Sequence, residues 1–410
     1  MALGKSSTVE EAERPSQNSA FEVFKVFLRL GLTSFGGPVA HIGYFRQEFV
    51  VRRRWTDEAT FADLVGLSQF LPGPASSQVV FAIGLSRRGL LGGLAAWCGF
   101  TLPSAILLFA FAQLAASLTG HVAQGAIHGL RIVAVAVVAQ AVWGMAQMLT
   151  PDVRRALIAV AAAAIVLFVA GSMGQIAAIV LGAIAGIVLC RDILTLPKGH
   201  IAFSVSRPVG TACLVAFFAF LFGTPIIAGS LHSHPLAVFD AFYRSGALVF
   251  GGGHVVLPLL RDAVVTPGWI SANSFLTGYG AAQAVPGPLF TVSAYLGSAL
   301  NGPPNGLLGA TIALVGIFLP GMLILTGAIP FWDQFRMRTD AQAIMRGVNA
   351  AVVGILAAAL YDPLWKTSIG GWTDIALALA GFLLLTLAKL PPWLVVVATT
   401  VAAVTLALVL

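Results

Sequence analysis

The stretch that decides the fold of this chain is RLGLTSFGGPVAHIGYFR, residues 29–46. Its Phe-Gly-Gly-Pro core, residues 35–38, interrupts a segment that is otherwise largely apolar. Glycine is costly inside a helix, and proline has no amide hydrogen to donate. In lipid, such a break leaves backbone groups unpaired, which is tolerated only where they are buried in protein or line a cavity. The stretch therefore predicts a broken or re-entrant membrane helix.

The same pattern returns later in the chain as RSGALVFGGGHVVLPLLR, residues 244–261, at an offset of 215 residues (244 − 29). A second break follows each copy, in QFLPGPASSQ at residues 69–78 and in QAVPGPLFTV at residues 283–292, at an offset of 214 (283 − 69). So many identities at nearly one offset indicate an internal duplication. We predict two homologous helical halves, each with a Phe-Gly-Gly break and a Pro-Gly-Pro break.

The composition places these segments in a membrane. Apolar residues make up 58% of the 410 residues and charged residues only 10%, and the mean hydropathy is +0.92. This balance fits a lipid environment, and the continuous apolar runs favour helices over alternating strands. The fold class is therefore an all-α polytopic membrane protein. The net charge of +7 fits basic cytoplasmic loops, so no nucleic-acid partner is expected.

The segments suggest a division of the chain and an orientation for its halves. We expect a disordered cytoplasmic tail at 1–20, a first half at 21–190, a linker with one extra transmembrane helix at 191–237, and a second half at 238–410. Equivalent segments lie an odd number of segments apart, which predicts inverted repeats. Three consecutive arginines at 52–54 would fall on the wrong side of the membrane unless segment 21–50 is re-entrant.

The first break suggests an anion site. Arg29 and Arg244 precede the two Phe-Gly-Gly breaks, and a guanidinium can donate two hydrogen bonds to an oxyanion. The alternatives are an arginine that reaches the membrane surface, or an ion pair with Glu22 or Asp240. A helix that restarts after the break directs free N–H groups into a cavity. The candidate backbone ligands are Gly36, Gly37, Gly251 and Gly252.

The second break adds neutral ligands. Gln69 and Gln283 each precede the first proline by three residues, and amides and hydroxyls can bind a dehydrated anion without trapping it. The further candidate ligands are Gly73, Gly287, Ser76, Gln78 and Thr291. The alternative is that these groups cap the interrupted helices. The prolines expected to make the breaks are Pro38, Pro72, Pro74, Pro286 and Pro288.

Four titratable residues near the breaks could carry a coupling proton: His41, His254, Glu48 and Asp63. For each, packing or a local ion pair is the alternative. The two histidines occupy different repeat positions, so no shared metal site is predicted. The sequence contains no G-x-S-x-G, Walker A or H-E-x-x-H motif and no cysteine cluster. We therefore expect neither an enzyme nor a cofactor, and any uphill transport must draw on an ion gradient.

These motifs resemble those of a known family. Residues 29–46, 52–55 and 69–78 look like the N-terminal signature of the chromate ion transporters, and residues 243–258 and 278–288 look like its C-terminal counterpart. The resemblance implies a long-chain, two-domain member in a bacterial inner membrane that exports chromate and confers resistance, with sulfate as a competing dianion. The alternative functions left open are a carrier of sulfate or another oxyanion and an anion channel. The expected partners are membrane lipid and, as a further possibility, a second copy of the chain in a homodimer.

Overall fold

The computed structural model describes residues 19–35, 37–117, 120–169, 171–191, 205–250, 253–332, 334 and 338–409. The predicted tail lies almost entirely outside this part, as do Gly36, Gly251 and Gly252. The described residues contain no strand, which confirms the all-α prediction. The helices are α1 (Ala20–Thr33), α2 (Gly37–Phe45), α3 (Glu58–Phe70), α4 (Ala75–Ser117), α5 (His121–Leu149), α6 (Val153–Phe168), α7 (Ser172–Leu189), α8 (Arg207–Leu231), α9 (His234–Ala247), α10 (Val256–Val264), α11 (Ala272–Ala282), α12 (Val292–Ser298), α13 (Gly306–Ala328), α14 (Thr339–Ala359), α15 (Trp372–Thr386) and α16 (Pro392–Val409).

Residues 20–52 form a re-entrant hairpin, which we call hairpin 1. Its first arm is α1, and its second arm is α2 with the π-helical turn Arg46–Arg52. His41 Nε2 lies 3.2 Å from the Ser34 carbonyl oxygen near the tip. Further from the tip, the rings of Phe27 and Phe49 are 4.9 Å apart. The second arm therefore runs back along the first, which places the arginines at 52–54 on the N-terminal side and removes the conflict with the basic-loop rule.

Residues 58–88 form hairpin 2, whose tip is Pro-Gly-Pro at 72–74. The Arg87 guanidinium lies 5.1 Å from the centre of the Trp55 ring, so the second arm returns to the level where α3 begins. The chain reverses again inside α4, because Arg88 and Gly89 have non-helical backbone angles and Gly89 has a φ of +60°. A Cβ built on Gly84 would lie 2.3 Å from the Gly92 carbonyl oxygen, so the two parts of α4 pack closely.

The second half repeats these hairpins. Hairpin 3 spans residues 234–264 and consists of α9 and of α10 with the preceding 3₁₀ turn Gly253–Val255. Hairpin 4 spans residues 272–298 and consists of α11 and of α12 with the preceding 3₁₀ turn Leu289–Thr291. The His234 ring lies 4.9 Å from the Trp269 ring. Hairpins 3 and 4 therefore open on the same side.

The two halves point in opposite directions through the membrane. Gln113, near the end of α4, donates from Nε2 to Ser298 Oγ at 2.8 Å, and Ser298 ends hairpin 4. Hairpins 3 and 4 thus open where α4 ends, whereas hairpins 1 and 2 open where the second part of α4 begins. Both copies have the same two re-entrant segments, so the odd count between equivalent segments is preserved. The prediction of inverted repeats is confirmed.

Long helices from each half pack against the other half. In the described part of the chain, six helices are long and apolar enough to cross a membrane: Ala75–Ala115, Gln124–Leu149, Arg207–Leu231, Gly306–Phe331, Thr339–Ser368 and Pro392–Val409. In the first half, α5 packs on α16, where a Cβ on Gly129 would lie 2.7 Å from Thr400 Cα. In the second half, α14 packs on α7, where a Cβ on Gly347 would lie 1.9 Å from the Gly182 carbonyl oxygen. Small residues permit this close approach, and the halves interlock.

Replacement of Gly347 by alanine tests this interlocking. The new methyl group would collide with the backbone of α7, which cannot move away as a flexible side chain could. We expect a loss of about 1–3 kcal/mol or more in stability, seen as a lower midpoint of thermal unfolding in detergent. Gly144→Ala on α5 is the matched control, because nothing lies within 4 Å of its Cβ position. Equal midpoints for both variants would contradict the described packing.

Candidate functional site

The tips of the four hairpins meet and are joined across the two halves. The Gly73 N–H of hairpin 2 donates to the Val249 carbonyl oxygen of hairpin 3 at 2.7 Å. The Gly287 N–H of hairpin 4 donates to the Ser34 carbonyl oxygen of hairpin 1 at 2.8 Å. These four residues are equivalent in pairs, since 287 − 73 is 214 and 249 − 34 is 215. Each Pro-Gly-Pro tip therefore donates one backbone hydrogen bond to a carbonyl oxygen beside the Phe-Gly-Gly break of the opposite half.

Glycine is required at the centre of both Pro-Gly-Pro tips. Gly73 has a φ of +123° and Gly287 a φ of +97°, a region that side chains with a Cβ rarely adopt. A Cβ on Gly73 would lie 3.0 Å from the Cα of Gly321, and one on Gly287 would lie 2.9 Å from Ser104 Oγ. Gly321 follows Pro320 in α13, and Ser104 follows Pro103 in α4. Each of these helices belongs to the half opposite to the tip that it contacts. Both the positive φ angle and the close neighbouring atoms therefore exclude a side chain at the central residue of each tip.

A small cavity lies where the tips meet. Its volume is about 50 Å³, which is room for about four water-sized spheres when one such sphere needs roughly 10–15 Å³. The space is therefore that of a few water molecules or a small ion. We call it the central cavity, and its lining residues come from both halves: Gly37, Val137, Gln140, His254, Ala282, Gln283, Val285, Gly287, Leu289 and Pro392.

Three helical segments begin at the central cavity. Gly37 is the first residue of α2, His254 lies in the turn that starts the second arm of hairpin 3, and Leu289 starts the second arm of hairpin 4. The first N–H groups of a helix have no partner within the helix, and its N-terminus carries about half a positive charge. The breaks therefore place several backbone donors and partial positive charge around one space, as expected for anion binding.

Three polar side chains complete the lining. The buried Nε2 atom of Gln283 makes no hydrogen bond of ordinary geometry among the described residues, and this amide lies beside the Tyr279 hydroxyl. His254 Nδ1 lies 2.7 Å from the Tyr279 hydroxyl, which fixes the ring. Gln140 reaches the cavity from α5. Gln140 was absent from the sequence prediction, and its one signal is that it is an amide in an otherwise apolar run.

The two arginines predicted as anion ligands do not line the central cavity. Arg29 is exposed on α1. Arg244 donates from Nε to Asp240 Oδ1 at 3.0 Å, and the same oxygen accepts from the Thr224 hydroxyl at 2.6 Å. Arg244 thus makes the ion pair that the sequence offered as the alternative. A direct role for the arginines in anion binding stays a prediction.

The first-half counterparts of the cavity residues are placed differently. Gln69 is exposed, whereas its counterpart Gln283 lines the cavity. Gln78 is buried and donates from Nε2 to the carbonyl oxygens of Pro72 at 2.9 Å and Gly321 at 3.1 Å, so it ties hairpin 2 to the other half. This amide fills the space beside Gly73.

Other predicted residues serve the breaks themselves. The Thr291 hydroxyl donates to the Pro288 carbonyl oxygen at 2.7 Å, which is the capping alternative. Ser76 is buried in the first turn of α4. Pro74 and Pro286 belong to the two Pro-Gly-Pro tips, and a Cβ on Gly321 would lie 2.9 Å from Pro74 Cδ. The ring of Pro38 lies outside the described residues.

The remaining coupling candidates are held by local contacts. His41 is buried against the Ser34 carbonyl oxygen in hairpin 1. Glu48 accepts from Arg52 at 3.2 Å and from Arg53 at 2.5 Å near the open end of that hairpin. Asp63 is buried in α3. Of the four candidates, His254 lines the central cavity. The described part of the chain contains no group of three or more potential metal ligands.

Comparison with known sequences matches one family to this chain twice. The model of the family described as Chromate transporter matches residues 21–187 and again residues 236–404. The chain belongs to the chromate transporter family. This chromate transporter family member is 28% identical over 360 residues to the chromate transport protein of Pseudomonas aeruginosa, which covers 85% of this chain and 82% of that protein. No solved structure matches the chain.

Two further relatives differ in length. The probable chromate transport protein of Synechococcus elongatus is 26% identical over 345 residues, 83% of each chain. An uncharacterized transporter of Bacillus subtilis is 34% identical over 165 residues, which is 38% of this chain and 80% of that protein. This transporter family member thus has relatives that match more than four fifths of it and others that match a smaller part. Membership in the family also makes it a multi-pass membrane protein.

Replacement of Gln283 by glutamate tests the central cavity as an anion site. The carboxylate would repel an anion at close range in a partly desolvated space, so we expect at least about a tenfold loss of apparent affinity for a divalent oxyanion. Gln69→Glu is the matched control at the equivalent repeat position, because Gln69 is exposed and does not line the cavity. Binding to purified protein measures both. Equal losses for the two variants would count against this site.

Proposed function

We propose that this chain is a secondary active transporter that exports chromate from the bacterial cytoplasm and binds it in the central cavity. The single observation that carries the proposal is a cavity lined from both halves, at which helical segments begin and two side-chain amides are present. In a chain of the chromate transporter family, this arrangement suits a tetrahedral dianion. The printed names of the Pseudomonas aeruginosa and Synechococcus elongatus relatives support chromate as the substrate.

The direction of transport follows from charge. The basic residues at 52–54, Arg87 and Arg154 lie on the N-terminal side, which the basic-loop rule makes cytoplasmic. Moving one elementary charge across the membrane is worth about 2.3 kcal/mol per 100 mV, so a dianion gains about 4.6 kcal/mol on leaving a cell that is negative inside. That energy corresponds to a gradient of roughly 10³-fold. The membrane potential alone can therefore drive export from the inner membrane.

The mechanism we propose is alternating access. Hairpins 1 and 2 enter from the cytoplasmic side and hairpins 3 and 4 from the opposite side, and residues of hairpins 1, 3 and 4 line one cavity. Inverted repeats can exchange conformations, so that the cavity opens first to one side and then to the other. The reciprocal hydrogen bonds of Gly73 and Gly287 keep the tips together. Each half would then move as a unit around a fixed site.

Counterflow in proteoliposomes tests carrier function and substrate together. Vesicles loaded with unlabelled chromate should transiently accumulate labelled chromate at zero potential, because a carrier exchanges ions across the membrane. A lumen made positive with potassium and valinomycin should raise the accumulation further, and excess sulfate should reduce it. Protein-free vesicles are the control. Potential-driven entry without counterflow would indicate an anion channel, and counterflow of sulfate alone would indicate a sulfate carrier.

Replacement of Arg29 by alanine tests whether the arginines take part. Arg29 lies nine residues into α1, about 13.5 Å along the helix, and its exposed guanidinium makes no described ion pair. We propose that it attracts the anion on the approach to the cavity, so Arg29→Ala should reduce chromate uptake about tenfold at low salt. Arg29→Lys should retain most of the uptake. Uptake by normally folded Arg29→Ala protein equal to that of the wild type would contradict this role.

A further inference from the structure

The central cavity has a single titratable side chain. Of its ten lining residues, nine are glycine, proline, aliphatic residues or the two glutamines, and the tenth is His254. Buried charge requires compensation, since an isolated ion loses far more hydration energy than neutral contacts return. The cavity must therefore balance a divalent anion with helix termini, amide donors and this one imidazole.

The fixed charges fall short of a dianion. Three helical segments begin at the cavity, at Gly37, next to His254 and at Leu289. A helix N-terminus carries at most about half an elementary charge, and two of these three segments begin with a three-residue 3₁₀ turn. A dianion carries two charges, and the amides of Gln140 and Gln283 are neutral. One proton on His254 removes the deficit, because the imidazolium adds a full positive charge.

The contacts of His254 are compatible with both protonation states. Its Nδ1 lies 2.7 Å from the hydroxyl of Tyr279, which is buried. Beside a neutral imidazole, the hydroxyl donates to Nδ1 and the ring proton is on Nε2. Beside an imidazolium, Nδ1–H donates to the same oxygen, and Nε2–H is still available as a donor. Tyr279 therefore holds the ring in place while the proton comes and goes.

Charged groups on the neighbouring elements are engaged elsewhere. Within the described residues, the charged side chains of α5, α10 and α14 do not line the cavity. Their contacts are Arg131 with Asn273, Arg261 with Asp262, Asp262 with Gln175, Asp340 with Arg191, and Arg346 with the Cys190 carbonyl oxygen. On α2, His41 is buried against Ser34. None of these groups supplies the missing charge to the cavity.

We propose that His254 takes up one proton when a divalent oxyanion binds in the central cavity, so that each dianion is carried together with one proton. This inference rests on the proposed binding site. A dianion beside the imidazole favours its charged form, and the charged form favours the dianion, so the two ligands promote each other's binding. The complex then carries one net negative charge from its ligands, and each transport cycle moves one charge instead of two.

Sulfate is the probe for this proposal, because it stays a dianion over the pH range in which a histidine titrates, whereas chromate itself takes up a proton. Calorimetric titration of purified wild-type protein, in two buffers with different ionisation enthalpies, counts the protons bound per sulfate. We expect up to one proton per sulfate, and an apparent dissociation constant that rises up to tenfold per pH unit above the transition. His254→Gln should bind sulfate weakly and without proton uptake. Its apparent dissociation constant should not change with pH.

His128→Gln is the matched control, because His128 lies on α5 and pairs with Asp374 at 2.9 Å, away from the cavity. In this variant the apparent dissociation constant for sulfate should depend on pH as it does in the wild type. A wild-type pH dependence in folded His254→Gln, or sulfate binding by the wild type without proton uptake, would overturn the proposal. If His254→Gln does not fold, the proton count of the wild type decides alone. Chromate counterflow on the same preparations distinguishes a failure of the proposed transport function from a failure of the His254 proposal. Proton-linked sulfate binding without chromate counterflow would contradict transport but would leave the role of His254 intact.

Discussion

The reciprocal hydrogen bonds between the hairpin tips are the constraint on which the rest of the structure depends. A helix broken inside a membrane leaves N–H and C=O groups that lipid cannot satisfy. Here the N–H of Gly73 and that of Gly287 are satisfied by carbonyl groups of the opposite half. These hydrogen bonds of each half are made with the other half, so the tips of the two halves lie against each other. Three of the four hairpins, the first, third and fourth, contribute residues to the central cavity beside these contacts.

The sequence predicted the breaks, the duplication and the inverted halves, because glycine and proline act locally and an offset of 215 or 214 can be counted. It could not decide whether a segment crosses or re-enters, since both have the same apolar composition. The arginines at 52–54 were the one signal for re-entry. Nor could it predict that Gly347 meets Gly182, since nothing in an apolar helix specifies which partner its small residues touch.

The roles of the predicted site residues stay a prediction, and two positions show why the sequence could not place equivalent residues. The identical motif around Gln69 and Gln283 suggested equal roles in both halves. However, Gln78 corresponds to Val292 (78 + 214), and the Gln78 side chain fills the space beside Gly73 and binds Gly321. The valine makes no such bond. The duplicated motifs predicted equal roles, whereas in the structure Gln283 lines the cavity and Gln69 is exposed.

The absence of arginine from the lining of the central cavity has a physical reason. A transporter must release its substrate as well as bind it, so binding has to be favourable enough for entry and weak enough for exit. Two guanidinium groups at close range in a desolvated space would hold a dianion too strongly to release it. Helix termini and amides supply a smaller, fixed attraction, and a histidine supplies charge that can be removed. The role proposed for the exposed Arg29, on the approach of the anion, is compatible with this reasoning, and Arg244 is held by its pair with Asp240.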